Sequence, residues 1–256
     1  MKTMMEFLKK EWMEQVRNSK VLILVILFVL FGIMNPAIAK LTPWMMEMLS
    51  DSLAEAGMMV VEVESDAMTS WIQFIKNIPM GLIAFVLIES NLFTREYETG
   101  TLILTLTKGL ERYKVVLSKT IILLFLWTAC YFLCYGITYA YNAYYWDNSI
   151  AKNLFFTAIC WWLLGVWVVI LMVFFSTIAK NNTTVLMGTG GVFLGSYLIG
   201  LIPKAAEYMP TMLMNSNSLL MGVVKVEDYQ KSLFITIVLC IVLIICSIPI
   251  MNKRKL

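Results

Sequence analysis

Six apolar runs, at 21–39, 71–93, 115–141, 154–178, 183–202 and 233–251, constrain this chain more than any other feature. At about 1.5 Å per residue, each is long enough to cross a hydrocarbon core of about 30 Å. Within such a core every backbone N–H and C=O needs an internal partner, so runs of this length must be helical. Composition agrees: 60% of the 256 residues are hydrophobic and 14% are charged, against about 25% charged in soluble domains. The expected fold is an all-α membrane protein, a single polytopic transmembrane domain over 1–256 with six transmembrane helices.

Before the first run, Met5, Leu8, Trp12 and Val16 recur at spacings of three and four and form one apolar helical stripe. Lys9, Lys10, Glu14 and Arg17 fall largely outside it, which predicts an interfacial helix over 1–20, lying in the headgroup plane. Ala37-Ile38-Ala39 has the small residues of a leader cleavage site, but Glu6, Glu11 and Glu14 do not suit a leader, so the first run is expected to be a retained anchor. Between the first two runs Glu47, Asp51 and Glu55 recur every four residues, and Glu62, Glu64 and Asp66 continue the acidity. No calcium-loop spacing is present there, and a solvated acidic face is expected.

The second run is interrupted by Lys76, Asn77 and Pro79, where a kink is expected. Glu89 lies within two turns of Arg95 and is expected at the headgroups. Trp127, Tyr131, Tyr135 and Tyr139 follow one another at intervals of four and form an aromatic stripe on the third span. Such a stripe serves helix packing and anchoring, or borders a substrate route. In the fifth span Gly191-x-x-x-Gly195 has the spacing that lets helices approach closely. The apolar pieces within 203–232 are too short to span, and with Pro203, Pro210 and Gly222 they predict an outer re-entrant or interfacial helix pair.

Several function classes are excluded by what the sequence lacks. It has no histidine, which removes imidazole from any catalytic or metal scheme. Cys130, Cys134, Cys160, Cys240 and Cys246 all sit in apolar runs and read as small hydrophobes. HExxH and GxSxG motifs, paired intramembrane aspartates and a Walker A loop are all missing, so neither an enzyme nor an ATP hydrolase is expected. No metal site and no nucleic-acid partner is expected. The readings left open are a transporter subunit, a non-transporting immunity or sensor protein, and a membrane-embedded enzyme.

Most of the 20 basic residues fall on one side of a six-span topology, from Lys2, Lys9, Lys10, Arg17 and Lys20 to Lys253, Arg254 and Lys255. The positive-inside rule then places both termini in the cytoplasm, and the expected location is the plasma membrane, among lipid. The insert between spans two and three, REYETGTLILTLTKGLERYKVVLSK at 95–119, falls on the same side. Gly100 offers a sharp turn and Thr101 a cap for a helix through Leu102 that ends at Lys108-Gly109. Glu96 and Glu98 precede it, where the helix dipole favours negative charge.

This insert resembles the cytoplasmic signature of ABC-2 type transporter permeases, the membrane-spanning subunits of ATP-binding-cassette exporters. That signature reads Arg-Glu-x-Glu-x-Gly-Thr, a Leu-rich helix, Pro-x-x-Arg and Leu-Gly-Lys. Arg95, Glu96, Glu98, Gly100, Thr101, Arg112 and Lys119 match it. Gly109 stands where proline is usual and Ser118 where glycine is usual, so the turn into the third span differs. The resemblance implies a cytoplasmic coupling helix at 100–108 and a second inner contact at 180–183. It makes Arg95, Glu96, Glu98, Gly100, Thr101, Leu102, Arg112 and Lys180 the residues that couple to a partner. The implied partners are cytoplasmic P-loop ATPase subunits, which would bind ATP and Mg, and a second permease copy or a similar permease.

Overall fold

A computed structural model describes residues 2–55, 65–102, 107 and 111–254. Every regular element among these residues is helical. The longer helices are α1 (Lys2–Arg17), α2 (Lys20–Glu55), α3 (Ala67–Glu89), α4 (Asn91–Glu98), α5 (Arg112–Tyr145), α6 (Leu154–Ile178), α7 (Asn182–Gly200) and α8 (Gln230–Lys253). Six stretches are long and apolar enough to cross a membrane: Lys20–Leu49, Ala67–Glu98, Arg112–Tyr145, Leu154–Ile178, Asn182–Gly200 and Val226–Lys253. They correspond one for one to the six apolar runs of the sequence. The antiparallel order gathers α1, α4, the starts of α2, α5 and α7, and the ends of α3, α6 and α8 at one end of the bundle, called here the basal end.

The first span is longer than its apolar run. α2 has 36 residues and continues through Pro36 and Pro43, well past Ala39. Proline lacks the N–H that would bond the carbonyl four residues earlier. At Pro36 that carbonyl belongs to Gly32, and Thr138 Oγ1 of α5 donates to it at 3.1 Å. Thr138 in turn accepts from Asn35 Nδ2 at 3.0 Å, and Asn35 Oδ1 accepts from Asn77 Nδ2 at 2.7 Å. The polar residues inside the spans thus satisfy one another across α2, α3 and α5, as a hydrocarbon surround requires.

α6 is the hub, buried along most of its length, whereas α7 is the most exposed of the spans. At the centre the Trp127 indole of α5 packs closely on Gly165 of α6, where a Cβ would stand 2.0 Å from Trp127 Cζ2. Trp127 Nε1 donates to Trp162 O at 3.1 Å, and Tyr131 Oη donates to Ala158 O at 2.8 Å. Phe28, Phe85 and Tyr131 surround the indole with ring centroids 5.6 to 6.0 Å away.

Residues 203–229 differ from the expected helix pair. They form a chain of single turns, Pro203–Ala206, Pro210–Met214, Asn217–Leu220 and Val226–Tyr229. Pro203 and Pro210 each restart the backbone, and Gly222 adopts a φ of +70°, so no helix propagates. The turns pack on the end of the bundle opposite α1. Trp161 Nε1 donates to Ser216 Oγ at 2.6 Å, and Tyr229 Oη donates to Asn215 O at 2.6 Å. Of the acidic segment, Asp66 is the N-cap of α3, accepting from Thr69 N at 2.7 Å, while Glu62 and Glu64 lie outside the described residues.

The Trp127–Gly165 contact leaves no room for a methyl group, so Gly165→Ala should destabilise the bundle by about 1–3 kcal/mol through overpacking. A Cβ added at Gly136 of α5 would meet nothing within 4 Å, and Gly136→Ala should leave stability equal or higher. Thermal unfolding of the two variants in one detergent checks the contrast.

Candidate functional site

α1 presents an unusual face to the bundle. Phe7, Glu11 and Gln15, spaced by four, are buried, whereas Met5, Trp12, Met13 and Val16 of the apolar side are exposed. The helix therefore docks through a largely polar stripe and turns its apolar residues outward. The link to α2 is tight: Ser19 takes a φ of +56° between the two helices.

The polar stripe of α1 meets a lysine from α5. Lys119 is 1% exposed, and its Nζ donates to Glu11 Oε2 at 2.8 Å and to Leu92 O at 3.1 Å. It lies 3.1 Å from Glu96 Oε2. The other oxygen of Glu96 accepts from Lys10 Nζ at 2.9 Å. One turn deeper, Glu89 is fully buried at the end of α3 and accepts from Gln15 Nε2 at 2.7 Å and from Lys20 Nζ at 3.4 Å. Lys20 Nζ also donates to Asn91 Oδ1 at 2.8 Å. Glu89, expected at the headgroups, is thus enclosed by protein, with Gln15 of α1 and Lys20 at the start of α2 bonded to it.

Carboxylate oxygens of Glu11, Glu14 and Glu96 lie within 4.8 Å of one another. The Lys10 ammonium is 3.1, 3.6 and 2.9 Å from these three carboxylates. Lys10 therefore supplies the cation on which they converge. Partial burial would lower its pKa, but Glu11 and Glu96 together outweigh that and hold it above the ordinary lysine range. Its contribution to stability is complete below the unfolded value of about 10.4 and is lost only as pH rises through the elevated folded value.

The residues singled out in the insert divide between two faces. A single residue, Ser90, separates α3 from α4, a helix the sequence pattern does not reveal. Glu96 lies on the inner face of α4, in the charge network, and Arg95 and Glu98 are exposed on its outer face. Gly100 takes a φ of +67° with open space around it, Thr101 is exposed and Leu102 is buried. Thr101, Leu102 and Thr107 are helical, while 103–106 and 108 of the expected coupling helix lie outside the described residues. Arg112 opens α5 and donates to Met251 O at 3.0 Å. Lys180 is exposed in the link between α6 and α7, beside Asn181, whose Oδ1 accepts from Thr184 N at 3.0 Å. The aromatic stripe runs away from this site, with Trp127 and Tyr131 enclosed in the bundle and Tyr139 exposed near its far end.

The family of ABC-2 family transporter proteins matches residues 5–220, a span that includes α1 through α7 and the whole charge network. The chain belongs to this family. No curated protein and no solved structure matches it. It is a multi-pass transporter permease, a membrane subunit of an ABC transporter.

In the permease, the network is assembled from five helices: α1, α2, α3, α4 and α5. Burying several ions is costly, and their mutual attraction returns the cost only where geometry is good. The gain is registry, because α1 can sit on the bundle only where Glu11, Lys10 and Gln15 meet Lys119, Glu96 and Glu89. The sequence holds a trace of this in the spacing Phe7, Glu11, Gln15 and in the lysine at the mouth of the third span. Removing the Lys119 charge leaves Glu11 and Glu96 without their common buried partner. Lys119→Met should cost about 3–5 kcal/mol, and Lys10→Met, at a half-exposed site, much less. Denaturant unfolding, with limited proteolysis at the link around Ser19 to report release of α1, distinguishes the two.

Proposed function

We propose that the permease is the membrane half of an exporter driven by separate P-loop ATPase subunits, with the basal end in the cytoplasm. The observation that carries this reading is the two-sided α4. Its inner face is tied through Glu96 to Lys10 and Lys119, and its outer face exposes Arg95 and Glu98. A helix held in this way can take a push from a partner on one side and pass it to α1 and α5 on the other. Lys180, exposed at the same end, gives the ATPase a second point of contact.

The basal end also gathers the basic residues, including Lys9, Arg17, Lys20, Lys114 and Lys119, as the positive-inside rule asks of a cytoplasmic face. α1 then serves as an interfacial helix, with Trp12 packed edge-on to Phe125 at 5.6 Å and its outer residues in lipid. On α7, a Cβ added at Gly190, Gly191 or Gly195 would meet nothing within 4 Å. That face accepts a close helix from a second permease copy, and the cargo route lies between the copies. ATP and Mg belong to the ATPase partner.

Co-expression with the P-loop ATPase of the adjacent genes tests this reading. The ATPase should co-purify with the permease. Glu98→Ala with Gly100→Pro should reduce permease-dependent ATP turnover about 5- to 150-fold, the span of coupling free energies of about 1–3 kcal/mol; proline cannot adopt the positive φ at 100. If no ATPase co-purifies and turnover ignores the double substitution, the exporter reading falls.

A further inference from the structure

The last turn of α8 and the residues after it lie beyond the family match at 5–220, yet they hold the basal end together. Arg254 donates from Nη1 to Ser176 O at 3.2 Å and to Thr177 O at 2.9 Å, and from Nη2 to Ala179 O at 2.6 Å. Ser176 and Thr177 are in the last turn of α6 and Ala179 is its C-cap, so these carbonyls have no intrahelical donor. A cation there also faces the negative end of the α6 dipole. The guanidinium carbon lies 3.7 Å from the centroid of the Tyr97 ring on α4, and Tyr97 Oη donates to Met251 Sδ at 3.4 Å.

A second arginine closes the arrangement from the opposite direction. Arg112, the first residue of α5, donates from Nη1 to Met251 O at 3.0 Å, to Asn252 O at 3.2 Å and to Arg254 O. Arg112 thus caps α8, and the tail of α8 delivers Arg254 to cap α6. Among the described residues neither guanidinium has a carboxylate within salt-bridge distance; both are committed to main-chain carbonyls, which fixes backbone position. A lysine ammonium lacks the planar fork that reaches several carbonyls while stacking on a ring.

We propose that Arg254 is a positioning residue for force transmission, joining α4 through Tyr97 and the α6–α7 link through Ala179 into one body. The proposal rests on the reading of α4 and Lys180 as partner-facing. Its consequence is that a push on α4 reaches α6, the hub of the bundle, directly as well as through the charge network. An ordinary helix cap would need neither the Tyr97 contact nor the reciprocal cap by Arg112.

The test uses the full-length permease in nanodiscs with spin labels at Glu98→Cys and Lys180→Cys in a Cys246→Ser background. The distance distribution between the labels should be a single narrow peak. Arg254→Ala should broaden it, and Arg254→Lys should not restore it, because the fork and not the charge is needed. Tyr97→Leu removes the ring contact while leaving the α6 carbonyls capped, so it should broaden the distribution even if Arg254→Ala proves too unstable to purify. In complex with the ATPase, Arg254→Ala should lose the permease-dependent part of the turnover of each assembled complex, whereas simple loss of folded protein would reduce the amount of complex recovered by size exclusion and leave the turnover of each remaining complex unchanged. An unbroadened distribution in Tyr97→Leu, or full rescue by Arg254→Lys, overturns the proposal. Failure of the ATPase to bind the wild-type permease would instead remove the functional reading, and the distance measurement would still decide whether the clasp exists.

Discussion

A lysine ammonium at 1% exposure at the mouth of a transmembrane helix persists only when carboxylates enclose it. Lys119 imposes that condition, and much of the basal architecture answers it. Glu11 has to come from α1, so α1 docks by its polar stripe. Glu96 has to come from α4, so the chain breaks at Ser90 and a short helix turns one face inward. The same closing of α1 over the bundle encloses Glu89, which Gln15 and Lys20 then satisfy.

The remainder of the permease follows the same rule with neutral groups. Pro36 frees the carbonyl of Gly32 and Thr138 takes it up; Asn35 and Asn77 complete the chain across α2, α3 and α5. At the ends of α6 and α8 the unpaired carbonyls are met by Arg254 and Arg112. Apolar packing supplies tightness where polar groups are absent, as where Trp127 covers Gly165. Polar contacts decide which helices meet, and the close meeting of indole and glycine decides how closely.

The spans are legible in the sequence because a bilayer demands long apolar runs, and the motif around Arg95, Gly100 and Arg112 points to the family that the match at 5–220 shows. The site is less legible. The stripe Met5, Leu8, Trp12 and Val16 marks a helix, but taking its apolar side as the organising one hides Glu11 and Gln15. The bundle instead takes up Phe7, Glu11 and Gln15 and leaves Met5, Trp12, Met13 and Val16 exposed, so the protein contact of α1 is its polar face. The burial of Glu89 escapes the sequence for a related reason, since nothing near it in the chain shows that α1 folds across it. The Arg112 contact joins residues 139 apart, and no local periodicity carries such a pairing. The turns at 203–229 pass for helices in the sequence because their apolar content conceals the effect of Pro203, Pro210 and Gly222.

If the ionic seat of α1 is what holds the basal end in register, Glu11 and Lys119 must depend on each other energetically. A double-mutant cycle with Glu11→Gln and Lys119→Met, read as unfolding free energy in lipid nanodiscs, measures that dependence directly. The account predicts a coupling energy of about 1–3 kcal/mol, with the double variant more stable than the sum of the single losses implies. Additive losses, with α1 remaining docked in each single variant, would contradict it.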